Sequence, residues 1–159
     1  MIEAPARSNT SGSGRNGNHG MKIETSRFGT LELGEDVFIE FPWGIPGFES
    51  LKRFVLLEHR DGPFQWLQAV DEPTVAFVVC APHVLGYRYT VPSEKGEPLD
   101  LRQPDDLAVL IMVCFDREHK SLRPHLRGPL LLNASNRKAY QWVIDTPELG
   151  QVLEAVEKA

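Results

Sequence analysis

The chain has 159 residues, which fits one domain, since a single core stays efficient to roughly 250 residues and most domains hold about 100 to 150. Hydrophobic residues make up 42% and charged residues 25%, which excludes a disordered or membrane-embedded chain as a whole, and the longest apolar run, Leu107 to Phe115, is half the roughly 18 residues of a membrane-spanning helix. The net charge of −5 disfavours nucleic acid as a partner, because phosphate neutralisation needs a dense basic face.

Residues 1 to 20, MIEAPARSNTSGSGRNGNHG, hold only Met1 and Ile2 as large apolar groups. That is too little to offset the entropy of ordering, so a disordered tail is expected. The stretch has no apolar centre and no cleavage-like end, which excludes a secretory signal and points to the cytoplasm. Gly12 to Gly17 reads GSGRNG and formally matches G-x-G-x-x-G. That fingerprint holds a nucleotide only between a strand and a helix, and neither flank is present. Met21 opens the patterned region and is a second candidate start.

From Met21 the apolar period is two rather than 3.6. Leu31 and Leu33 flank Glu32, and Val37, Ile39 and Phe41 alternate with Phe38 and Glu40, the pattern of half-buried strands. Phe54 to Glu58, Phe64 to Val70, Thr74 to Cys80, Leu85 to Val91, Leu107 to Phe115, Pro129 to Asn133 and Ala139 to Ile144 add further short runs rich in Val, Phe, Trp and Tyr, giving about nine strands. Turn signals separate them: Pro42, Gly44, Pro46 and Gly47, then Asp61-Gly62-Pro63, Asp71-Glu72-Pro73, and Gly96 with Pro98. A brief helical turn is expected at Pro104 to Leu107. Short strands with close turns predict an all-β fold, a small antiparallel barrel-like or sandwich domain over residues 21–146. A helical extension over 147–159 follows, with Thr146 as cap, Pro147 in the first turn, and Leu149, Val152, Leu153 and Val156 as one apolar stripe to Lys158.

Catalytic and metal-binding patterns are not found. There is no G-x-S-x-G elbow, P-loop or H-E-x-x-H, and His59, His83, His119 and His125 show no close ligand spacing. No cofactor, metal or small-molecule substrate is therefore expected. The pairs Glu35-Asp36, Asp71-Glu72 and Asp105-Asp106 sit beside turns or helix starts, where carboxylates bond local amides. Cys80 and Cys114 each lie in an apolar run and are expected as small buried hydrophobes without a disulfide.

Charge is uneven along the chain. Residues 35–106 hold thirteen acids against six bases, net −7, and residues 117–138 hold six bases against one acid, net +5. The acidic part suits a basic protein partner. Phe41-Pro42-Trp43-Gly44-Ile45-Pro46-Gly47-Phe48-Glu49 is a loop pinned by prolines and glycines, and Pro46-Gly47 fits the centre of a type II turn. A rigid aromatic loop beside an acid is a good protein-docking element, because little side-chain entropy is lost. Packing inside the fold is the competing role for Phe41 and Phe48, less so for Trp43.

Phe38-Ile39-Glu40-Phe41-Pro42, Gly44 to Glu49 and Arg53-Phe54-Val55-Leu56-Leu57 resemble the opening of the bacterial flagellar assembly factor FliW family. Phe64 to Pro73, Ala76 to Val79 and Leu126 to Asn133 resemble its central and later segments, so the likeness spans residues 21 to about 144. Ala69 stands where that family usually has serine, and His125 where it usually has asparagine.

The resemblance implies a small β-barrel-like protein without catalytic activity that binds two proteins. One is flagellin. The other is the carbon storage regulator, an RNA-binding repressor of flagellin translation, which the factor holds off the message until flagellin displaces it.

Phe48, Glu49, Asp71 and Glu72 are the candidate partner-binding residues, with Phe41 and Gly47 holding the loop. Neither direct nucleic-acid contact nor membrane contact is expected under this reading. The competing reading is a small barrel that binds RNA directly through the basic segment 117–138, with Arg117, Lys120, Arg123, Arg127, Arg137 and Lys138 on phosphates.

Overall fold

The computed structural model describes residues 20–58 and 62–156. The tail expected over residues 1–20, with its glycine motif, therefore lies outside the described residues except for Gly20. His59, Asp61 of the second turn and the end of the predicted helix at 157–159 also lie outside them.

The chain is mostly β. β1 (Gly20–Thr25) and β2 (Gly29–Gly34) form a hairpin in full register. After a 3-10 turn at Glu35–Val37 come β3 (Ile39–Glu40), β4 (Arg53–Glu58), β5 (Gln65–Ala69) and β6 (Ala76–Cys80). A 3-10 turn at Pro82–Leu85 leads into β7 (Tyr87–Tyr89), and two more, Ser93–Leu99 and Pro104–Asp106, precede the long β8 (Leu107–Asp116). β9 (Ser121–Pro124), β10 (Leu130–Asn133), β11 (Lys138–Gln141), α1 (Thr146–Val152) and β12 (Leu153–Ala155) complete the chain.

The main sheet runs β10-β11-β3-β4-β5-β6-β8-β9, and β10 also pairs with β8, so the ladder returns on itself. Seven strands take part in that ring. An odd closed ladder cannot alternate direction throughout, so one pair must run parallel: β11 and β3, through Lys138 and Glu40. The topology is thus mixed, where the sequence predicts antiparallel pairing only. Arg137, at φ 61, carries the chain into this pair, and its carbonyl accepts the Glu40 N–H at 2.9 Å.

Inside the ring, Phe41, Phe54, Leu56, Leu67, Leu130 and Leu132 share one buried cluster. Each fully buried Leu, Ile or Phe contributes about 1.5–3 kcal/mol. The β1–β2 hairpin lies over the outer face of β4, burying Val55 and Leu57 with Ile23, Leu33 and Val70. β4 is therefore covered on both faces, which is why Phe54 to Leu57 reads as a continuous apolar run rather than an alternating one. A third cluster joins Leu99, Leu131, Trp142 and Ile144 to Val152 of α1.

The C-terminal helix is present but short. Helix α1 starts at Thr146, with Asp145 in the cap position making no side-chain cap bond, so Thr146 is not the cap. The helix ends at Val152 because Leu153–Ala155 pairs with β7, and the Val152 carbonyl accepts the Thr90 N–H at 2.7 Å. Of the predicted stripe, Leu149 and Val152 pack on the third cluster while Leu153 joins a strand. β8 runs past its β6 partners into a ribbon with β9, so Cys114 is exposed where burial is expected, whereas Cys80 is buried as expected. No helix among the described residues is long and apolar enough to cross a membrane.

Candidate functional site

The loop between β3 and β4 is built by four short hydrogen bonds. The Phe41 N–H donates to Lys52 O at 2.7 Å, Gly44 N–H to Phe41 O at 2.8 Å, Phe48 N–H to Ile45 O at 2.6 Å, and Leu51 N–H to Phe48 O at 3.0 Å. The third bond closes a turn centred on Pro46 and Gly47, with Gly47 at φ 92, as a type II turn requires. Gly44 is also left-handed, at φ 70, and a β-carbon there would meet Glu49 Cα at 2.5 Å. Only glycine fits that crossing. Ile45 is buried in the inner cluster and anchors the loop from below.

Phe41 is 1% exposed and meets Phe54 edge-on at 5.2 Å. It supports the loop from the core and offers no contact surface. Phe48 is 38% exposed, with one edge against Phe77 at 5.2 Å. Trp43 is 56% exposed and stands edge-on to Tyr140 at 6.1 Å. Glu49 Oε2 accepts the Gly47 N–H at 3.0 Å. That bond, then the bond from its own amide, and the Lys52 charge hold its carboxyl below the usual range.

The second wall is the β5–β6 connection. Gln68 is fully buried, and its Nε2 donates to Ala69 O at 3.0 Å and to Pro73 O and Val75 O at 3.2 Å. The Ser26 N–H of the hairpin also donates to Pro73 O, at 2.9 Å. Glu72 Oε2 accepts the Thr74 hydroxyl at 3.1 Å, and Asp71 Oδ1 pairs with Arg53 Nη2 at 3.0 Å. Arg53 in turn lies over the Phe38 ring at 5.5 Å.

Between these walls is an open depression of about 580 Å³ lined by Gly47, Phe48, Glu49, Leu51, Glu72 and Val75, with Ser50 and Thr74 at its side. The fold thus brings Gly47, Phe48, Glu49 and Glu72 together from segments some twenty residues apart. Asp71 is beside it, turned into the Arg53 pair, and Phe41 is beneath it. Val75 and Phe77 were legible only as strand residues, and nothing in their spacing places them against Phe48. The arrangement sets Phe48, Leu51 and Val75 beside two carboxylates, Glu49 held by the Gly47 N–H and Glu72 by the Thr74 hydroxyl, and it is suited to contact rather than bond-making.

Two members of the basic segment are tied to backbone carbonyls. Arg127 Nε donates to Ile144 O at 3.2 Å, and Arg137 donates to Phe38 O at 3.2 Å and Val37 O at 3.0 Å. Burial lowers the Arg137 pKa. Arg123 approaches Asp116 at 3.9 Å. The ligand atoms of Asp116, Glu118 and His119 lie within 4.8 Å of one another, a grouping the histidine spacing does not reveal. It is a turn: Asp116 Oδ2 meets His119 Nδ1 at 2.7 Å, and Oδ1 accepts the Glu118 N–H at 3.0 Å and the His119 N–H at 3.3 Å. The His119 side-chain bond is the main cause of the lowered Asp116 pKa.

Comparison with known proteins agrees with this scaffold. The family model described as FliW protein matches residues 22–152. The chain is 36% identical over 125 residues to the flagellar assembly factor FliW of Caldicellulosiruptor saccharolyticus, covering 77% of this chain and 82% of that one. It is 40% identical to those of Geotalea uraniireducens, covering 79% and 78%, and of Azoarcus sp., covering 79% and 92%. A crystal structure of the flagellar assembly factor FliW superposes with a TM-score of 0.70 at 28% identity, covering 79% of this chain and 90% of that one.

Proposed function

The chain belongs to the FliW family, and on that premise we propose that it is a non-enzymatic, protein-binding regulator of flagellar assembly in the cytoplasm. It binds the carbon storage regulator and flagellin, holding the translational repressor off its message until flagellin takes its place. Its scaffold is the closed ladder, a barrel-like frame whose rigid loops carry the contacts. The observation that supports this reading is the depression between the Ile45–Phe48 turn and the β5–β6 connection, which the partly exposed Phe48 lines together with Glu49 and Glu72. Aromatic anchors supply most interface energy when already ordered. Carboxylates at the rim speed encounter with a basic partner.

A binding competition among the three purified proteins tests it. The expected result is a complex with the regulator at micromolar concentration that flagellin disrupts. Absence of a complex with either partner rejects the proposal, and a shift of flagellin leader RNA by this protein alone would favour the direct RNA-binding reading over it.

A further inference from the structure

The ring has a gap in its ladder, and the reason is a proline. β6 pairs with β8 through Val78–Val113, Val79–Met112 and Cys80–Ile111. Continuing that register sets Pro82 opposite Val109. Proline has no N–H to donate, so the ladder stops. The chain leaves through the 3-10 turn at Pro82–Leu85 and reverses at Gly86, φ 85, into β7.

Parity shows which backbone groups are left over. Along an antiparallel strand, successive residues bond to alternate edges. The Ala134 N–H donates to Asp106 O and the His125 N–H to Met112 O, both at 2.8 Å, so even-numbered residues of β8 serve the edge shared with β9 and β10. Odd-numbered residues serve the other edge, where Ile111 and Val113 meet β6. The Leu107 N–H is taken by Pro104 O. By this parity the Val109 N–H and C=O and the Leu107 C=O face the gap, past the end of the β6 pairing, and among the described residues no turn or loop bond reaches them.

The facing wall repeats the pattern. The Thr90 N–H donates to Val152 O and the Val156 N–H to Gly86 O, both at 2.7 Å, so even-numbered residues of β7 bond to β12. The backbone groups of Tyr87 and Tyr89 point away from β12.

An open groove of about 470 Å³ lies between these strands. Leu107, Ala108, Val109 and Leu110 all line it, as do Tyr87, Arg88 and Tyr89. Side chains of a strand alternate between faces, so consecutive residues on one wall mean that a strand edge forms it. The charged or basic side chains on the lining are His83 and Arg88, with no carboxylate among them. Arg88 is held by Glu154 at 3.0 Å in an exposed pair, a kind of contact weak enough to exchange.

We propose that this groove takes an extended strand of a partner protein, added to the free edge of β8 at Val109, with apolar side chains in the groove and a carboxylate at His83 and Arg88. The free edge supplies affinity through main-chain bonds, and the groove selects alternate side chains. The site is separate from the Glu49 depression and does not depend on the reading given to it.

The test titrates the full chain with labelled synthetic peptides of about eight residues, alternating valine and threonine, with one aspartate moved through each position. At least one peptide should saturate below about 1 mM and slow hydrogen exchange at the Val109 amide about tenfold or more. N-methylating the alternate amides along its bonding edge, or Arg88→Glu in the protein, should weaken binding about tenfold. Glu49→Lys should leave peptide binding unchanged. Failure of the whole panel to saturate, or binding that leaves Val109 exchange unaltered, overturns the proposal. Protection of Val109 that rises with protein concentration alone overturns it in favour of a second copy of this chain.

Discussion

The buried side-chain amide of Gln68 donates to the Pro73 carbonyl at 3.2 Å, the same oxygen that accepts the Ser26 N–H of the β1–β2 hairpin. One residue thus ties the Asp71-Glu72 connection both to its own strand and to the hairpin layer. Gln68 Oε1 is buried without a partner among the described residues, a cost accepted for the bonds made by Nε2. Gln68→Leu should lower stability by about 0.5–1.5 kcal/mol, the net worth of a lost hydrogen bond, because Pro73 O keeps the Ser26 N–H and Val75 O keeps the Ala69 N–H. Urea unfolding measures this, and hydrogen exchange should rise across residues 71–75 before other segments. Unchanged exchange there would show that the hairpin alone holds the loop.

The two left-handed glycines of the site loop should respond differently to alanine. At Gly47, φ 92, a β-carbon meets nothing within 4 Å, so Gly47→Ala carries backbone strain alone, about 1–2 kcal/mol. At Gly44 the same group would sit 2.5 Å from Glu49 Cα. Gly44→Ala must therefore displace Glu49 and should cost more than Gly47→Ala. Thermal unfolding of the two variants gives the order, and equal melting temperatures would contradict it.

The loop was legible because its determinants are local. Pro46 fixes one dihedral angle and Gly47 accepts the next, and both are visible at adjacent positions. The depression was not legible, since its second wall is the β5–β6 connection, and what that connection lies against is set by long-range pairing that periodicity does not encode. The parallel β11–β3 pair escaped for the same reason: it follows from an odd ring, a property of the whole ladder. The extended helix failed through competition. Its stripe of Leu149, Val152, Leu153 and Val156 fits a helix, but the open edge of β7 captures Leu153–Ala155, and a short helix has little cooperativity to resist it.

Charge reversal tests the proposed contact with the regulator. Glu49→Lys, or Asp71→Lys with Glu72→Lys, should weaken that binding about tenfold at low salt while stability stays near wild type, since exposed charges contribute little to folding. The loss should shrink as ionic strength rises. Equal affinity in both variants, read by calorimetry, would move the contact elsewhere.

Acid should spare Glu49 longer than an ordinary glutamate. Its carboxyl is held below the usual 4.5 by the Gly47 N–H, its own amide and Lys52. A depressed folded-state pKa gives stabilisation that is present above the unfolded value and lost only as pH falls through the folded one. The Gly47–Glu49 turn should therefore persist as pH falls through 4.5. A carboxylate titration of Glu49 by NMR, with its midpoint at or above 4.5, would contradict this.

Thiol reactivity should separate the two cysteines. Burial pushes the Cys80 thiol up to about 11, so at neutral pH it holds almost no thiolate, and the reactive species is the thiolate. Cys114 is exposed on the ribbon and open to the reagent. Iodoacetamide at neutral pH should add one group to the native protein, on Cys114, and a second on Cys80 only after unfolding. Peptide mass mapping locates each adduct. Native labelling of Cys80 at a comparable rate would mean that the β5–β6–β8 part of the ring opens far more often than its buried packing implies.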